Sequence, residues 1–91
     1  MSKLSPTDIK AALKSVPEWK RQRAAITRTI QFKDFPAAIK FVNAVAKLAE
    51  KAWHHPDIDI RWNKVTLTLS THSEGGLTEK DFKLAKQLDR L

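Results

Sequence analysis

A chain of 91 residues is sized for one domain, here taken as residues 1–91, and its 17 Lys and Arg against 10 Asp and Glu leave a formal net charge of +7. Without a single cysteine, disulfides, thiol catalysis and cysteine-held metal sites are excluded. No stretch reaches the roughly 18 apolar residues of a membrane span. The opening MSKLSPTDIK also lacks an apolar leader segment, so the expectation is a cytoplasmic protein with no membrane partner. The basic residues are dispersed; their densest run, Lys20-Arg21-Gln22-Arg23, reads as a solvated turn. No recognition motif accompanies the charge, and no direct nucleic-acid partner is expected.

In chain order, the first element carries a full set of helix-start signals. Ser5 is the N-cap, Pro6 the first helical residue, Asp8 lies near the positive helix end, and Leu4 staples to Ile9. Ile9, Leu13 and Val16 form one apolar stripe, and Pro17 is expected to stop the helix. A short strand at Trp19–Lys20 precedes a clearer one over residues 25–32, where Ile26, Ile30 and Phe32 share a face opposite Thr27, Thr29 and Gln31. Arg28 falls on the apolar face of that strand, so it must reach solvent or meet a carboxylate.

Asp34 then caps a long helix over residues 35–52. Phe35, Ile39, Val42, Ala46 and Ala49 make one stripe, and Phe41, Val45, Leu48 and Ala52 a second beside it. So broad an apolar surface exceeds what one small sheet face needs and makes this helix a candidate contact between subunits. Ile58, Ile60 and Trp62 alternate with charged residues, and Val65, Leu67 and Leu69 alternate with Thr66, Thr68 and Ser70. With only Asn63 and Lys64 between, these read as a two-residue hairpin pairing Trp62 with Val65, Ile60 with Leu67 and Ile58 with Leu69. Past Gly75 and Gly76 a last helix begins, with Leu77 and Phe82 as staple and Thr78 and Asp81 as capping box. The order implies an α+β fold: a four-stranded antiparallel sheet with three helices packed on one face.

The expected hairpin register, continued outward, sets His55 opposite His72 and gathers His54, His55 and His72, the chain's three histidines. Three readings are open: partly exposed bystanders, a zinc site with Glu50, or acid–base chemistry without a cofactor. Adjacent residues in extended chain point to opposite sides, so His54 and His55 suit one metal ion poorly; no metal is expected. Imidazole gives or takes a proton near neutral pH, and a pair flanking a ligand could drive an elimination or isomerisation.

The run Glu50-Lys-Ala-Trp-His54-His55-Pro56, followed by Trp62, His72 and Asp81, resembles the signature of the pterin-4a-carbinolamine dehydratases. The segment NKVTLTLSTHSEGGLTEKD and the element order are similar to that family over nearly the whole length. The resemblance implies dehydration of 4a-hydroxytetrahydropterin to quinonoid dihydropterin, without metal or organic cofactor. It implies His54 and His72 as acid–base groups, with His55 chiefly orienting the pterin and possessing a potential share in proton transfer. Substrate contacts are implied for His54, His55 and Pro56 and for Thr71, His72, Ser73 and Glu74.

Glu50, Trp62 and Asp81 complete the signature as supporting residues, each with a structural alternative. Glu50 could pair with Lys47 or Lys51, Trp62 could be hairpin core, and Asp81 could be a helix cap alone. Family members often carry an aromatic residue two positions after the proline, where this chain has Ile58; the comparison with the family implies a different pocket wall. The resemblance also implies a homodimer or homotetramer. It carries an alternative role as well: some animal members are dimerisation cofactors of a homeodomain transcription factor, and the doubled stripe of the long helix is the surface to examine for such a partner.

Overall fold

Three side-chain oxygens start the three helices. Ser5 accepts the Asp8 N–H at 3.1 Å and Asp34 the Ala37 N–H at 2.9 Å, while Thr78 and Asp81 form the reciprocal capping box. The computed structural model describes residues 3–91. The helices are α1 (Pro6–Leu13), α2 (Phe35–Ala52) and α3 (Glu79–Leu88); the strands are β1 (Lys20–Gln22), β2 (Ala25–Gln31), β3 (Asp57–Arg61) and β4 (Lys64–Leu69). A single 3-10 turn, His72–Glu74, lies between β4 and α3. Helix α1 ends at Leu13, short of Pro17, because the chain tightens into a turn in which the Val16 N–H reaches the Leu13 carbonyl. Val16 is nonetheless fully buried.

The strands form one antiparallel sheet in the order β1-β2-β4-β3. Alternation in β4 sends Val65, Leu67 and Leu69 to the covered face, where they join Ile9 of α1, Ala38 and Val45 of α2, and Phe82, Leu84 and Leu88 of α3. The opposite face is polar. Thr29 pairs its hydroxyl with Thr66 at 2.9 Å, and Thr27 with Thr68 at 3.3 Å. This is the expected α+β arrangement of three helices and a four-stranded antiparallel sheet.

Two expectations about the sheet need correction. The hairpin register is shifted by two: Ile60 meets Val65, Ile58 meets Leu67, and Arg61 meets Lys64. An even shift keeps every side chain on its face, so the apolar pairing survives. The turn is centred on Trp62 and Asn63 because Asn63 is drawn into it: its Nδ2 donates to the Phe32 carbonyl at 2.9 Å, and its own carbonyl accepts the Phe32 N–H at 2.8 Å. Trp62 takes the positive φ (53°) and stands 71% exposed, so it is not hairpin core.

The doubled stripe of α2 is only partly absorbed by the fold, and Ala46 and Ala52 on it are exposed. Val45 and Ala49 are buried, and Phe41, Val42 and Leu48 pack against the core; Phe35 stays largely exposed. The basic run lies on β1, an exposed sheet edge, where charge discourages further strand pairing.

Arg28 finds its carboxylate. It sits opposite Leu67 on the helix side and forms an ion pair with Asp89, the C-cap of α3. The same Asp89 oxygen accepts the indole N–H of buried Trp19 at 2.9 Å. One side chain thereby ties the end of α3 to the sheet and to the segment before β1. Asp89→Ala leaves two donors without this acceptor and is expected to lower stability by about 1–3 kcal/mol, read as a shifted urea midpoint with unchanged slope.

Candidate active site

The histidine pair follows the C-terminal end of α2, and the helix cap aims it. Trp53 adopts the left-handed conformation (φ 52°, ψ 42°), and the His54 N–H closes on the Ala49 carbonyl at 3.1 Å. This six-to-one bond is the Schellman cap, in which the left-handed position usually belongs to Gly. Elsewhere that conformation costs a non-glycine residue about 1–2 kcal/mol. Pro56 then holds His55 to extended backbone as the chain enters β3.

Reversal at Trp53 sends the two imidazoles to different partners. His54 turns inward, its side chain 12% exposed, and its Nε2 lies 2.6 Å from Oδ1 of Asp81. His55 stays at the surface with its Nε2 2.5 Å from Oε2 of Glu50, one turn back on α2. A carboxylate only accepts hydrogen bonds, so in each pair Nε2 carries a proton, and in the neutral ring the lone pair is on Nδ1. Glu50 thus engages a histidine rather than a lysine.

Asp81 is fully buried, and every contact it makes is specific. Its Oδ2 accepts the Thr78 N–H at 2.9 Å and the Thr71 hydroxyl at 2.8 Å. Because Thr71 gives its only hydroxyl proton to Asp81, the 2.9 Å contact between Thr71 and Thr78 must run from Thr78 to Thr71. Thr78 in turn accepts the Lys80 N–H at 3.2 Å. Donors therefore run in one direction from the start of α3, through two hydroxyls, to the carboxylate that orients His54. Asp81 is both the helix cap and the partner of a histidine, and the sequence alternatives for it are not exclusive.

The remaining residues singled out by sequence fall around this network. His72, Ser73 and Glu74 make the exposed 3-10 turn, closed by Gly75 at φ 72° and by a bridge between Thr71 and Gly76. Thr71 itself is buried, with its hydroxyl proton and its N–H engaged internally, so it supports the site from within instead of presenting a donor to a ligand. His72 has no carboxylate partner among the described residues.

His54 lines a cleft of about 430 Å³ between α2 and α3, with Lys51, Lys80 and Lys83 around it. His72 lines a separate depression of about 370 Å³ with Asp57, two residues beyond His55. Asp81 and Thr71 tie His54 to the residue that precedes His72. Trp62 sits at the far turn of the β3–β4 hairpin, away from all three. Thr78 was legible in sequence only as a cap; its hydroxyl link to Thr71 needs the fold. Among the described residues no group of three or more His, Cys, Asp or Glu side chains is placed to hold a metal.

Fold and site together define a small α+β protein with carboxylate-anchored histidines at one end of its sheet. The family profile described as Pterin 4 alpha carbinolamine dehydratase matches residues 2–91. A protein of Nocardia farcinica that bears the name pterin-4-alpha-carbinolamine dehydratase provisionally is 57% identical, over 97% of this chain and 93% of its own. One of Acidobacterium capsulatum with the same provisional name is 54% identical, over 100% of this chain and 99% of its own. The crystal structure of a transcriptional coactivator/pterin dehydratase from Brucella melitensis superposes with a TM-score of 0.93 at 38% identity, covering 98% of this chain and 97% of that one. The chain belongs to the pterin-4a-carbinolamine dehydratase family.

Removal of the buried carboxylate is expected to be costly. Asp81→Ala strips the acceptor from Thr71, from the Thr78 N–H and from His54, and should lower unfolding free energy by about 3 kcal/mol or more. Glu50→Gln disturbs only a surface pair and should stay within about 1 kcal/mol of wild type. Chemical denaturation of the two variants beside wild type measures both.

Proposed function

We propose that this protein dehydrates 4a-hydroxytetrahydropterin to quinonoid dihydropterin and water by histidine acid–base catalysis, in pterin recycling. The observation that carries the reading is His54, seated on a buried carboxylate that leaves its Nδ1 as the free, proton-accepting nitrogen. Loss of water asks two things of a protein. The C4a–O bond breaks with its electron pair on oxygen, which needs a proton to leave as water. The N5–H electrons form the new C4a=N5 bond, so that proton must be taken away.

His54 suits the second task, since Asp81 steadies the imidazolium that forms when Nδ1 accepts a proton. His72, exposed and without a carboxylate partner among the described residues, suits the first and can be reprotonated from solvent between turnovers. His55, fixed by Glu50, serves to orient the pterin, with Pro56, Ser73 and Glu74 as further contacts. Thr71 acts as a positioning residue through Asp81. No metal or organic cofactor enters this chemistry.

A homodimer or homotetramer in the cytoplasm accompanies the reading. In support, β3 is an edge strand on which Ile58 and Ile60 are each 37% exposed, an apolar edge that a second copy would cover. The alternative, a non-catalytic module that binds a transcription-factor helix, has less support here. Part of the expected surface on α2, at Phe41, Val42, Val45 and Leu48, is engaged by the core.

The test is the rate of 4a-hydroxytetrahydropterin dehydration, with substrate generated in situ and the spontaneous rate subtracted. Wild type should accelerate it, and His54→Ala and His72→Ala should each lose about 10²-fold or more while remaining folded. Wild type at the background rate overturns the reading.

A further inference from the structure

Trp53 carries a large side chain where the backbone asks for none. Its left-handed conformation (φ 52°, ψ 42°) is the one Gly adopts freely and bulky residues avoid. The cap that needs this conformation is built from backbone groups, the Trp53 and His54 N–H groups on the carbonyls of Glu50 and Ala49. Glycine would close it as well. Burial does not offset the strain either, because Trp53 is 76% exposed. Strained residues of this kind, over-determined by their surroundings, concentrate at functional sites.

The indole stands beside the histidines. Its ring lies edge-to-face with the His55 imidazole, centroids 5.5 Å apart and planes at 75°. Since Glu50 holds His55 in place, the two rings form a nearly right-angled corner open to solvent. A flat heterocycle stacked on the indole would turn its edge toward the imidazole. Trp62 shares the positive φ and the exposure but lies at the far hairpin turn, without a histidine beside it.

We propose that Trp53 is a specificity-determining residue whose indole stacks on the bicyclic ring of the pterin and sets it against His55. This rests on the dehydratase reading above, whose ligand has the flat ring the corner fits. The backbone predicts an uncommon pairing of effects: Trp53→Gly relieves strain and weakens binding together.

The experiment measures binding of 7,8-dihydrobiopterin, which keeps the fused ring but has no 4a-hydroxyl to lose, by titration calorimetry. Thermal midpoint, subunit mass in solution, and kcat and KM for the carbinolamine are followed in parallel. Trp53→Gly should raise Kd and KM about tenfold, leave kcat within about twofold, and unfold no earlier than wild type. Trp53→Phe, which keeps an aromatic face, should stay within about threefold of wild type in Kd.

Unchanged Kd and KM in Trp53→Gly, with wild type active, overturn the role of Trp53 alone. A loss of affinity that comes only with a lower midpoint or an altered subunit mass also overturns it, since the indole would then be structural. Wild type that neither binds the dihydropterin nor turns over the carbinolamine overturns the dehydratase reading, and this inference with it.

Discussion

A carboxylate with no access to water must have its charge met by hydrogen bonds, and Asp81 is such a group. It receives the Thr78 amide at the head of α3, the Thr71 hydroxyl after β4, and the His54 imidazole after α2. The end of α2 and the stretch from the end of β4 to the head of α3 therefore converge because one buried carboxylate has to be solvated by protein. Their convergence also puts a histidine with a defined tautomer at the end of the sheet. Stability and proton chemistry depend here on the same atoms, so the site cannot be altered at Asp81 without disturbing the fold.

The second carboxylate–histidine pair has a different physical character. Glu50 and His55 are both exposed, so their contact is screened and weakly stabilising. What it supplies is direction: a surface imidazole with a fixed plane. One pair is buried and the other exposed to water, although the two histidines are neighbours in the chain. The difference comes from the left-handed turn at Trp53, which sends one ring inward and leaves the other outside.

Much of this was legible in the residues. Caps at Ser5, Asp34 and Thr78 and the apolar alternation of β4 rest on local chemistry that tertiary contacts reinforce, whereas the Glu50…His54-His55 and Asp81 signature was legible through family resemblance. Arg28 on an apolar face correctly demanded a carboxylate, but pattern could not name Asp89, which is distant in sequence. The hairpin register departs from the sequence pattern because the two-residue turn is Trp62-Asn63 and not Asn63-Lys64. The side-chain bond of Asn63 to the Phe32 carbonyl, a contact to another strand, places the turn one residue earlier. Clustering of the three histidines by cross-strand pairing was accordingly indirect. His54 is tied to the segment before His72 through Asp81 and Thr71, a link that only the packed α3 supplies, while His55 pairs with Glu50.

The two margins of the sheet are unlike. Along β1 stand Lys20, Arg21 and Gln22, all exposed, while β3 presents Ile58 and Ile60 beside unpaired backbone. A strand added at the first margin meets like charge; at the second it meets apolar surface and free amides. A sheet that can be extended from one side only has nowhere to grow after a single isologous union. Copies joined by that margin would use up both receptive edges in one step, giving a closed, two-fold particle and no filament.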